Sequence, residues 1–343
     1  MSSALVTRLR VSYQELFEAL QRALLKLGFA SEPAARCARL FTDTTCDGVY
    51  SHGLNRFARF VATIHNGTVD IQSTPELVTS CGAVERWDGK LGVGNLNAYQ
   101  SMERAVALAR QHSIGCVALA NTNHWMRGGS YGWQAADAGM VGICWTNTLP
   151  NLPPWGASDA RLGNNPIVIA VPRPGGHVVL DMAMSQFSYG ALRAYQLSGE
   201  QLPVNGGYDL EGNLTRNPKA IEASGRPLPI GYWKGSGLAL LLDLMAAMLS
   251  GGQATYQIPA DPERETGLSQ VFIAINLAAL DQAGLAGQLA DQIVGNLTSP
   301  PNSTAERVRY PGERVLQTRK ENLKEGIPVA QSAWDELVAI GGS

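Results

Sequence analysis

The sequence Ile114-Gly115-Cys116-Val117-Ala118-Leu119 carries no charged or hydroxyl-bearing side chain. Such a run is typical of a strand that is buried on both faces of a sheet. The preceding residues 95–113 have apolar side chains at helical spacing, at Met102, Ala105, Val106 and Leu108. A helix that leads directly into a buried strand indicates an α/β layer.

Further strands are predicted on both sides of this pair of elements. The runs rich in apolar or β-forming residues are 75–81, 84–88, 141–144, 166–171, 178–182 and 269–275. The turn Pro174-Gly175-Gly176 joins two of them and is short enough for a β-hairpin. A hairpin brings antiparallel strands into the sheet, so we expect a mixed sheet in an α/β (α+β) fold.

Helical periodicity dominates both ends of the chain. Ser12 and Glu15 form a capping box ahead of an apolar stripe, and a second helix is predicted after Ser31. The C-terminal part is predicted to be helical, with one extended piece at 307–315. We therefore divide the chain into three parts, namely a helical part (1–75), a mixed-sheet domain (76–280) and a helical part that packs on the first (281–343).

Two segments between the predicted sheet strands stand out by composition. The run from Gly237 to Leu249 is apolar except for Asp243 and is too short to span a bilayer, so we expect a buried helix. Residues 202–229 are rich in Gly, Pro and Asn and show little periodicity. A loop of this length is usually functional, which favours a lid or a binding loop.

The stretch 45–57, Thr-Cys-Asp-Gly-Val-Tyr-Ser-His-Gly-Leu-Asn-Arg-Phe, joins two predicted helices across an Asp47-Gly48 turn. Ser51 can cap the second helix, so that His52 and Arg56 lie one turn apart on one face. An arginine can hold a carboxylate through two parallel hydrogen bonds while a histidine exchanges a proton with a neighbouring oxygen. The pair suits a small anionic carbonyl compound, and an ordinary solvated helix fits the same spacing.

A second histidine follows the buried strand. Asn123-His124-Trp125-Met126-Arg127 lies at the carboxyl end of this strand, where open α/β sheets usually bind ligands. We treat Asn123, His124 and Arg127 as candidate ligand-binding residues, with a purely structural histidine as the alternative. A G-x-S-x-G pattern surrounds Ser130, but only His177 follows it, beside a turn, so we do not expect a serine hydrolase.

The segment Trp233-Lys234-Gly235-Ser236-Gly237 precedes the apolar helix and is a candidate phosphate site. Free backbone N–H groups at a helix start can bind a phosphate. Lys234 would add a positive charge and Trp233 a stacking face. A glycine that merely eases the start of the helix explains the same residues.

Composition narrows the function further. The 343 residues include 27 basic and 29 acidic side chains, without a basic stripe for nucleic acid. The histidines are scattered without metal-ligand spacing, and neither G-x-G-x-x-G nor a P-loop occurs. The five cysteines include no C-x-x-C pair, and the amino terminus lacks the apolar core of a signal peptide. We expect buried free thiols in a cytoplasmic protein without a metal or a membrane partner.

Four strings of residues, spread over most of the chain, carry a resemblance to a known family. They are Ser51-His52-Gly53 with Arg56, Asn121 to Trp133, Leu180 to Ala183, and Gly231 to Gly235. In this order they resemble the malate/L-lactate dehydrogenase family, whose members lack a Rossmann fold. The match runs from about Ser12 to Pro311. It departs at Glu313-Arg314, where the relatives carry His-Glu.

The resemblance implies a homodimer with a largely antiparallel sheet, a helical shell from both termini, and bound NADH or NADPH. It implies that His52 donates a proton and that Arg56 and His124 face the substrate, beside Asn123 and Arg127. The segments implied to hold the cofactor are His177-Val178-Val179-Leu180-Asp181-Met182-Ala183, Trp233-Lys234 and Gly312-Glu313-Arg314.

The implied reaction is reduction of the ketone of a small 2-keto (sugar) acid to a 2-hydroxy acid. Neutral His52 would act as the base in the reverse reaction, so we expect a controlling pKa near neutrality. Three alternatives stay open: a malate/lactate-type 2-hydroxy-acid dehydrogenase of the same family, a keto-acid lyase or hydratase with the same residues, and a catalytically silent sugar-acid sensor.

Overall fold

The computed structural model describes residues 8–281, 283–299 and 307–342. Its helices are α1 (Tyr13–Lys26), α2 (Ser31–Cys46), α3 (Leu54–His65), α4 (Gly94–His112), α5 (Gly129–Asp137), α6 (Tyr189–Ser198), α7 (Pro218–Ser224), α8 (Trp233–Ser250), α9 (Leu277–Leu280), α10 (Ala286–Thr298), α11 (Glu313–Glu325) and α12 (Gln331–Gly341). Its strands are β1 (Arg8–Val11), β2 (Glu76–Cys81), β3 (Val84–Asp88), β4 (Ile114–Thr122), β5 (Met140–Thr146), β6 (Ile167–Val171), β7 (Val178–Met182), β8 (Gly207–Tyr208), β9 (Leu214–Thr215), β10 (Leu268–Asn276) and β11 (Ile327–Ala330).

A seven-stranded sheet with the order β2-β3-β4-β10-β5-β6-β7 forms the centre of the structure. Strands β3 and β4 are parallel, and every other neighbouring pair in this sheet is antiparallel. Strands β6 and β7 form the hairpin predicted across Pro174-Gly175-Gly176. The expected mixed, largely antiparallel sheet in an α/β (α+β) fold is confirmed.

Helix α4 packs directly on strand β4, as the apolar run predicted. A Cβ atom at position 115 would lie 2.1 Å from the carbonyl oxygen of Ala105, so this close approach requires glycine. Met102, Leu119 and Phe272 fill the same apolar cluster between the helix and the sheet. The pair delivers the chain after Thr122 to one edge of the sheet.

The first helices and the last elements share a second apolar core. Phe41 and Phe57 lie in it together with Ile327 of β11 and Leu337 of α12. Strand β11 pairs antiparallel with β1, with Leu9 opposite Val329, in a small sheet that was not predicted from the sequence. The boundaries at residues 75 and 280 stay a prediction.

Two predicted segments differ from the structure. The extended piece at 307–315 is wrong, because the chain turns at Tyr310, whose carbonyl accepts the N–H of Glu313, and α11 starts there. The prediction of a continuous loop at 202–229 is also wrong. It contains the hairpin β8–β9 and helix α7, and Leu192, Leu202 and Ile221 form a small core of their own.

Helix α8 is not the fully buried helix that its composition suggested. One face packs on the sheet through Ala239, Leu242 and Ala246. The opposite face exposes an apolar row, consisting of Leu240, Leu241, Leu244, Met245 and Met248. The sheet covers only one side of a helix that is apolar all round. Among the described residues, no helix combines the length and the apolar character needed to cross a membrane.

Candidate active site

The candidate site lies where the strands of the central sheet end on one side. The residues at these strand ends are Thr122 of β4, Thr146 of β5, Ile167 of β6, Met182 of β7 and Leu268 of β10. The end of β4 and the loop after it have positive φ angles, at Asn121 (50°) and Met126 (62°) respectively. Such angles in residues with side chains cost about 1–3 kcal/mol each and occur preferentially at functional sites.

His52 lies in a short 3₁₀ turn, Tyr50–His52, and not in the first turn of a helix. Helix α3 starts at Leu54, whose N–H donates to Thr45 Oγ1 at 3.0 Å, so the predicted cap at Ser51 is wrong. A Cβ atom at Gly53 would lie 2.4 Å from this hydroxyl, so glycine at 53 lets Thr45 reach the helix start. The Ser51 hydroxyl instead lies 2.9 Å from Nδ1 of His52.

The imidazole rings of His52 and His124 stack on each other. Their centroids are 5.9 Å apart and their planes are inclined by 19°. Nδ1 of His124 accepts the N–H of Met126 at 3.1 Å, so the neutral ring carries its proton on Nε2. The structure therefore unites two histidines that the sequence presented as separate candidates.

Both histidines are held in the neutral form at pH 7. Burial lowers the pKa of His52 to about 4, and the positive charges of Arg56 and Arg127 act in the same direction. Burial also lowers the pKa of His124 well below its usual value, again with help from Arg56. In the ligand-free protein the pKa of His52 is therefore lower than the near-neutral value expected to control activity, first because of burial and second because of the nearby guanidinium groups.

Arg56 lines a small recess together with the ring of His124. The recess has a volume of about 20 Å³, and Arg59, Asn123 and Glu265 also line it. Burial and the charge of Arg59 together lower the pKa of Arg56 to about 10, against the opposing effect of Glu265. Within the described residues, no carboxylate lies within 4.0 Å of the Arg56 guanidinium. A half-buried positive charge without a close partner favours the binding of an anion.

Asn123 fixes the loop that carries His124. Its Nδ2 donates to the carbonyl oxygens of Leu91 at 2.7 Å and Gly92 at 2.9 Å. Its Oδ1 is buried and accepts no hydrogen bond from the described part of the chain. This oxygen is therefore the atom of Asn123 that remains for a ligand.

Arg127 is buried and pairs with Asp47, which the sequence indicated only as part of the Asp47-Gly48 turn. The Asp47 carboxylate accepts from Nη1 of Arg127, and from Nε and Nη2 of Arg319 at 2.6 Å and 2.8 Å. This ion triad joins the end of α2, the loop after β4 and helix α11. Arg319 and Asp47 are 272 positions apart, and no motif links them.

The first and third candidate cofactor segments lie side by side. Strand β7, which contains most of 177–183, is an edge strand of the sheet. The N–H of Val179 donates to the carbonyl of Pro311 at 3.0 Å, which brings Gly312 next to His177 and Val179. Arg314 follows in the first turn of α11.

Each of these two segments carries one carboxylate whose contacts bear on the site. Asp181 Oδ2 accepts the N–H of Gly129 at 2.7 Å, which ties β7 to the start of α5, directly after the loop that carries His124. Glu313 Oε1 accepts from Arg307 at 2.6 Å. Glu313 Oε2 is buried and has no hydrogen-bond partner among the described residues.

The segment at Trp233-Lys234 starts helix α8, so part of its prediction is wrong. The N–H groups of Lys234 and Gly235 donate to the carbonyls of Gly231 at 3.2 Å and Ile230 at 2.8 Å, so they are not free for a phosphate. The Lys234 ammonium and the exposed Trp233 ring remain as the groups of this segment that could contact a cofactor. The N–H of Ile230 donates to Met184 O at 2.8 Å and so connects this segment to the end of β7. In the described part of the chain, no group of three or more potential ligands could hold a metal ion.

The chain belongs to the malate/L-lactate dehydrogenase family, whose sequence model matches residues 11–338. It is therefore a pyridine-nucleotide-dependent oxidoreductase that acts on CH–OH groups. Among curated relatives, the 2,3-diketo-L-gulonate reductase of Klebsiella pneumoniae is 46% identical over 338 residues, which cover 97% of this chain and 100% of the relative. The reductase of the same name from Citrobacter koseri is 45% identical with the same coverage.

The fold is also similar to that of a solved member of this family. The malate dehydrogenase from Pyrococcus horikoshii superposes with a TM-score of 0.88 at 29% sequence identity. The superposition covers 98% of this chain and 96% of the other. The non-Rossmann architecture implied by the resemblance is thereby confirmed.

Asp47→Asn should destabilise the protein by about 3 kcal/mol, because the buried Arg127 and the half-buried Arg319 lose their common counter-charge. Urea unfolding followed by circular dichroism measures this change. Asp159→Asn is the matched control, since Asp159 pairs with Arg161 on the exposed surface and should leave the midpoint unchanged. Equal midpoints for Asp47→Asn and the wild type would show that the triad does not stabilise the fold.

Proposed function

We propose that the protein reduces the ketone of 2,3-diketo-L-gulonate, or of a closely similar 2-keto sugar acid, with NADH. The observation that carries this proposal is the stacked pair of His52 and His124 beside Arg56, which lacks a close counter-ion. The names of the near full-length relatives support the choice of substrate.

In the proposed reaction, Arg56 holds the substrate carboxylate through two parallel hydrogen bonds and so fixes the position of the ketone. When bound, the reduced nicotinamide dinucleotide supplies the hydride that adds to the ketone carbon. His52 gives its proton to the ketone oxygen as negative charge develops there. The products are a hydroxy acid, the oxidised cofactor and a neutral His52.

The neighbouring candidate residues would orient the substrate. His124 can donate from Nε2, and Asn123 can accept through its unpartnered Oδ1, so the two offer complementary hydrogen bonds. Arg127 is engaged by Asp47 and would act through its charge on His52.

The segments around β7 fit a dinucleotide. Lys234 offers an ammonium group for a phosphate, and Trp233 offers an exposed aromatic face. The buried Oε2 of Glu313 is an acceptor suited to a ribose hydroxyl. A carboxylate at this position would repel the additional phosphate of NADPH, so we propose NADH as the preferred cofactor.

We also propose that the protein acts in the cytoplasm. All five cysteines are free thiols, which fits a reducing compartment. Their expected burial holds for Cys37, Cys46 and Cys144, whereas Cys81 is exposed.

A homodimer is proposed with the exposed row of α8 at its interface. This row presents Leu241 and Met248 with 55% and 73% of their surface exposed. Large exposed apolar patches usually mark protein interaction sites. A second copy would cover the row with the same row of its own, as two-fold symmetry requires.

A substrate panel tests the proposed reaction. Purified protein with NADH should oxidise the cofactor, followed at 340 nm, with 2,3-diketo-L-gulonate and related 2-keto acids. His52→Gln should reduce kcat by about 10²–10⁴-fold while NADH binding, followed by fluorescence, persists. More than a tenth of wild-type turnover in His52→Gln would make His124 the better candidate for the proton donor.

The same panel separates the alternatives. Preference for oxaloacetate or pyruvate over sugar acids would indicate a malate/lactate-type enzyme. Consumption of a keto acid with flat absorbance at 340 nm would indicate a lyase or hydratase. Binding of sugar acids without any turnover would indicate a sensor.

The pH dependence of the two directions should differ. Reduction needs protonated His52, and above a pKa of about 4 this form declines tenfold for each pH unit. Between pH 5.5 and 8, log kcat/KM for reduction should therefore fall with a slope of about −1. Oxidation uses the neutral form, which already predominates, so its kcat/KM should stay level. A plateau for reduction up to pH 7 would contradict the low pKa.

Replacement of Met248 by glutamate should convert the proposed dimer into a monomer, because a charge would be buried in an apolar interface. Sedimentation velocity at micromolar concentration measures the change. Leu210→Glu is the control, since Leu210 is similarly exposed but lies in the turn between β8 and β9. A wild-type protein that sediments as a monomer would refute the proposal.

A further inference from the structure

Glu265 is a buried carboxylate in the Arg56 recess that the proposed reaction does not use. Only 8% of its surface is exposed, and it lines the recess together with Arg56, Arg59 and His124. Its Oε1 accepts the N–H of Leu149 at 3.1 Å. Among the described residues, no basic group lies within 4.0 Å of the carboxylate.

Helix α3 and the turn that follows it hold this carboxylate in place. Arg59 donates to the carbonyl oxygen of Pro262, and Asn66 Nδ2 donates to that of Glu263 at 2.9 Å. These bonds attach the segment before Glu265 to the helix that carries Arg56. Glu265 is therefore held between helix α3, through the bonds to residues 262 and 263, and the chain after β5, through Leu149.

Arg56, Arg59 and the ring of His124 face Glu265 across the recess. Burial raises the pKa of Glu265, while the N–H of Leu149 and the charges of Arg56 and Arg59 lower it. In its ionised form Glu265 offsets one of the two guanidinium charges, and the substrate carboxylate that Arg56 holds offsets the other. A second carboxylate in the recess would lie beside the charge of Glu265 and be repelled by it, and this repulsion is strong where water is excluded.

We propose that Glu265 is a specificity-determining residue that restricts the site to monocarboxylate keto acids with an uncharged, hydroxylated chain. The proposal rests on the proposed reduction, and it names the substrate class of the same site. Glu265 selects by charge: it repels a second carboxylate, and its free oxygen can accept a hydrogen bond from a substrate hydroxyl.

A pair of substrates that differ in one carboxylate tests this role. Reduction of 2-oxobutyrate and of oxaloacetate is measured at pH 8, on the alkaline side of neutrality, because burial raises the pKa of Glu265. Glu265→Gln keeps a carbonyl acceptor for Leu149 and removes the charge. It should raise the ratio of kcat/KM for oxaloacetate to that for 2-oxobutyrate about tenfold.

Two controls separate charge from structure. Glu265→Asp keeps the charge and should retain the wild-type ratio. Glu263→Gln removes a charge two residues away, on an exposed side chain, and should also leave the ratio unchanged. A ratio within twofold of wild type in Glu265→Gln would overturn the proposal and leave Glu265 a partner of Leu149 only.

A binding measurement keeps this test independent of turnover. Citramalate and 2-hydroxyisobutyrate have tertiary alcohols that cannot be oxidised by hydride transfer, and they differ in one carboxylate. Calorimetric titration should show citramalate gaining affinity relative to 2-hydroxyisobutyrate in Glu265→Gln. If citramalate gains affinity but the protein turns over no keto acid, the proposed reduction is refuted and the proposal for Glu265 stands. If the affinity ratio is unchanged, the proposal for Glu265 is refuted.

Discussion

The ion triad of Asp47, Arg127 and Arg319 is the interaction on which the arrangement of the site depends. It is the point at which the helical lobe, the central sheet and helix α11 meet through side chains that are largely removed from water. Burial of one carboxylate with two guanidinium groups demands close geometry, since each charge loses its hydration. The triad therefore fixes Arg127, and with it the loop that carries His124, against the end of the helix that precedes His52.

The remaining charges of the site show a consistent pattern. Arg127 is neutralised by Asp47, whereas Arg56 is left without a close counter-ion. Both stacked imidazoles are kept neutral by burial and by the charge of Arg56. The positive charge of Arg56 therefore lacks a close partner until an anion binds in the site. In the proposed function, the carboxylate of the substrate supplies the charge that makes protonation of His52 easier.

Sequence reasoning reached the parts of the fold that local patterns specify. The apolar run 114–119, the capping box at Ser12 and the hairpin across 174–176 appear in the structure. It failed where distant segments decide the outcome. Strand β11 is defined only by its pairing with β1, and the cap of α3 comes from Thr45 on another helix. Asp47 and Glu265 gave no signal, because their partners lie far away in the sequence.

The pairing of β1 with β11 has a consequence for how the protein is made. Residues 8–11 leave the ribosome early, and their strand partner at 327–330 leaves it late. The apolar core around helix α3 is likewise completed only when α12 has been synthesised. Contacts between such distant segments form slowly. We expect the nascent lobe that carries His52 to expose apolar surface throughout translation, and thus to be the part of the chain on which chaperones act longest.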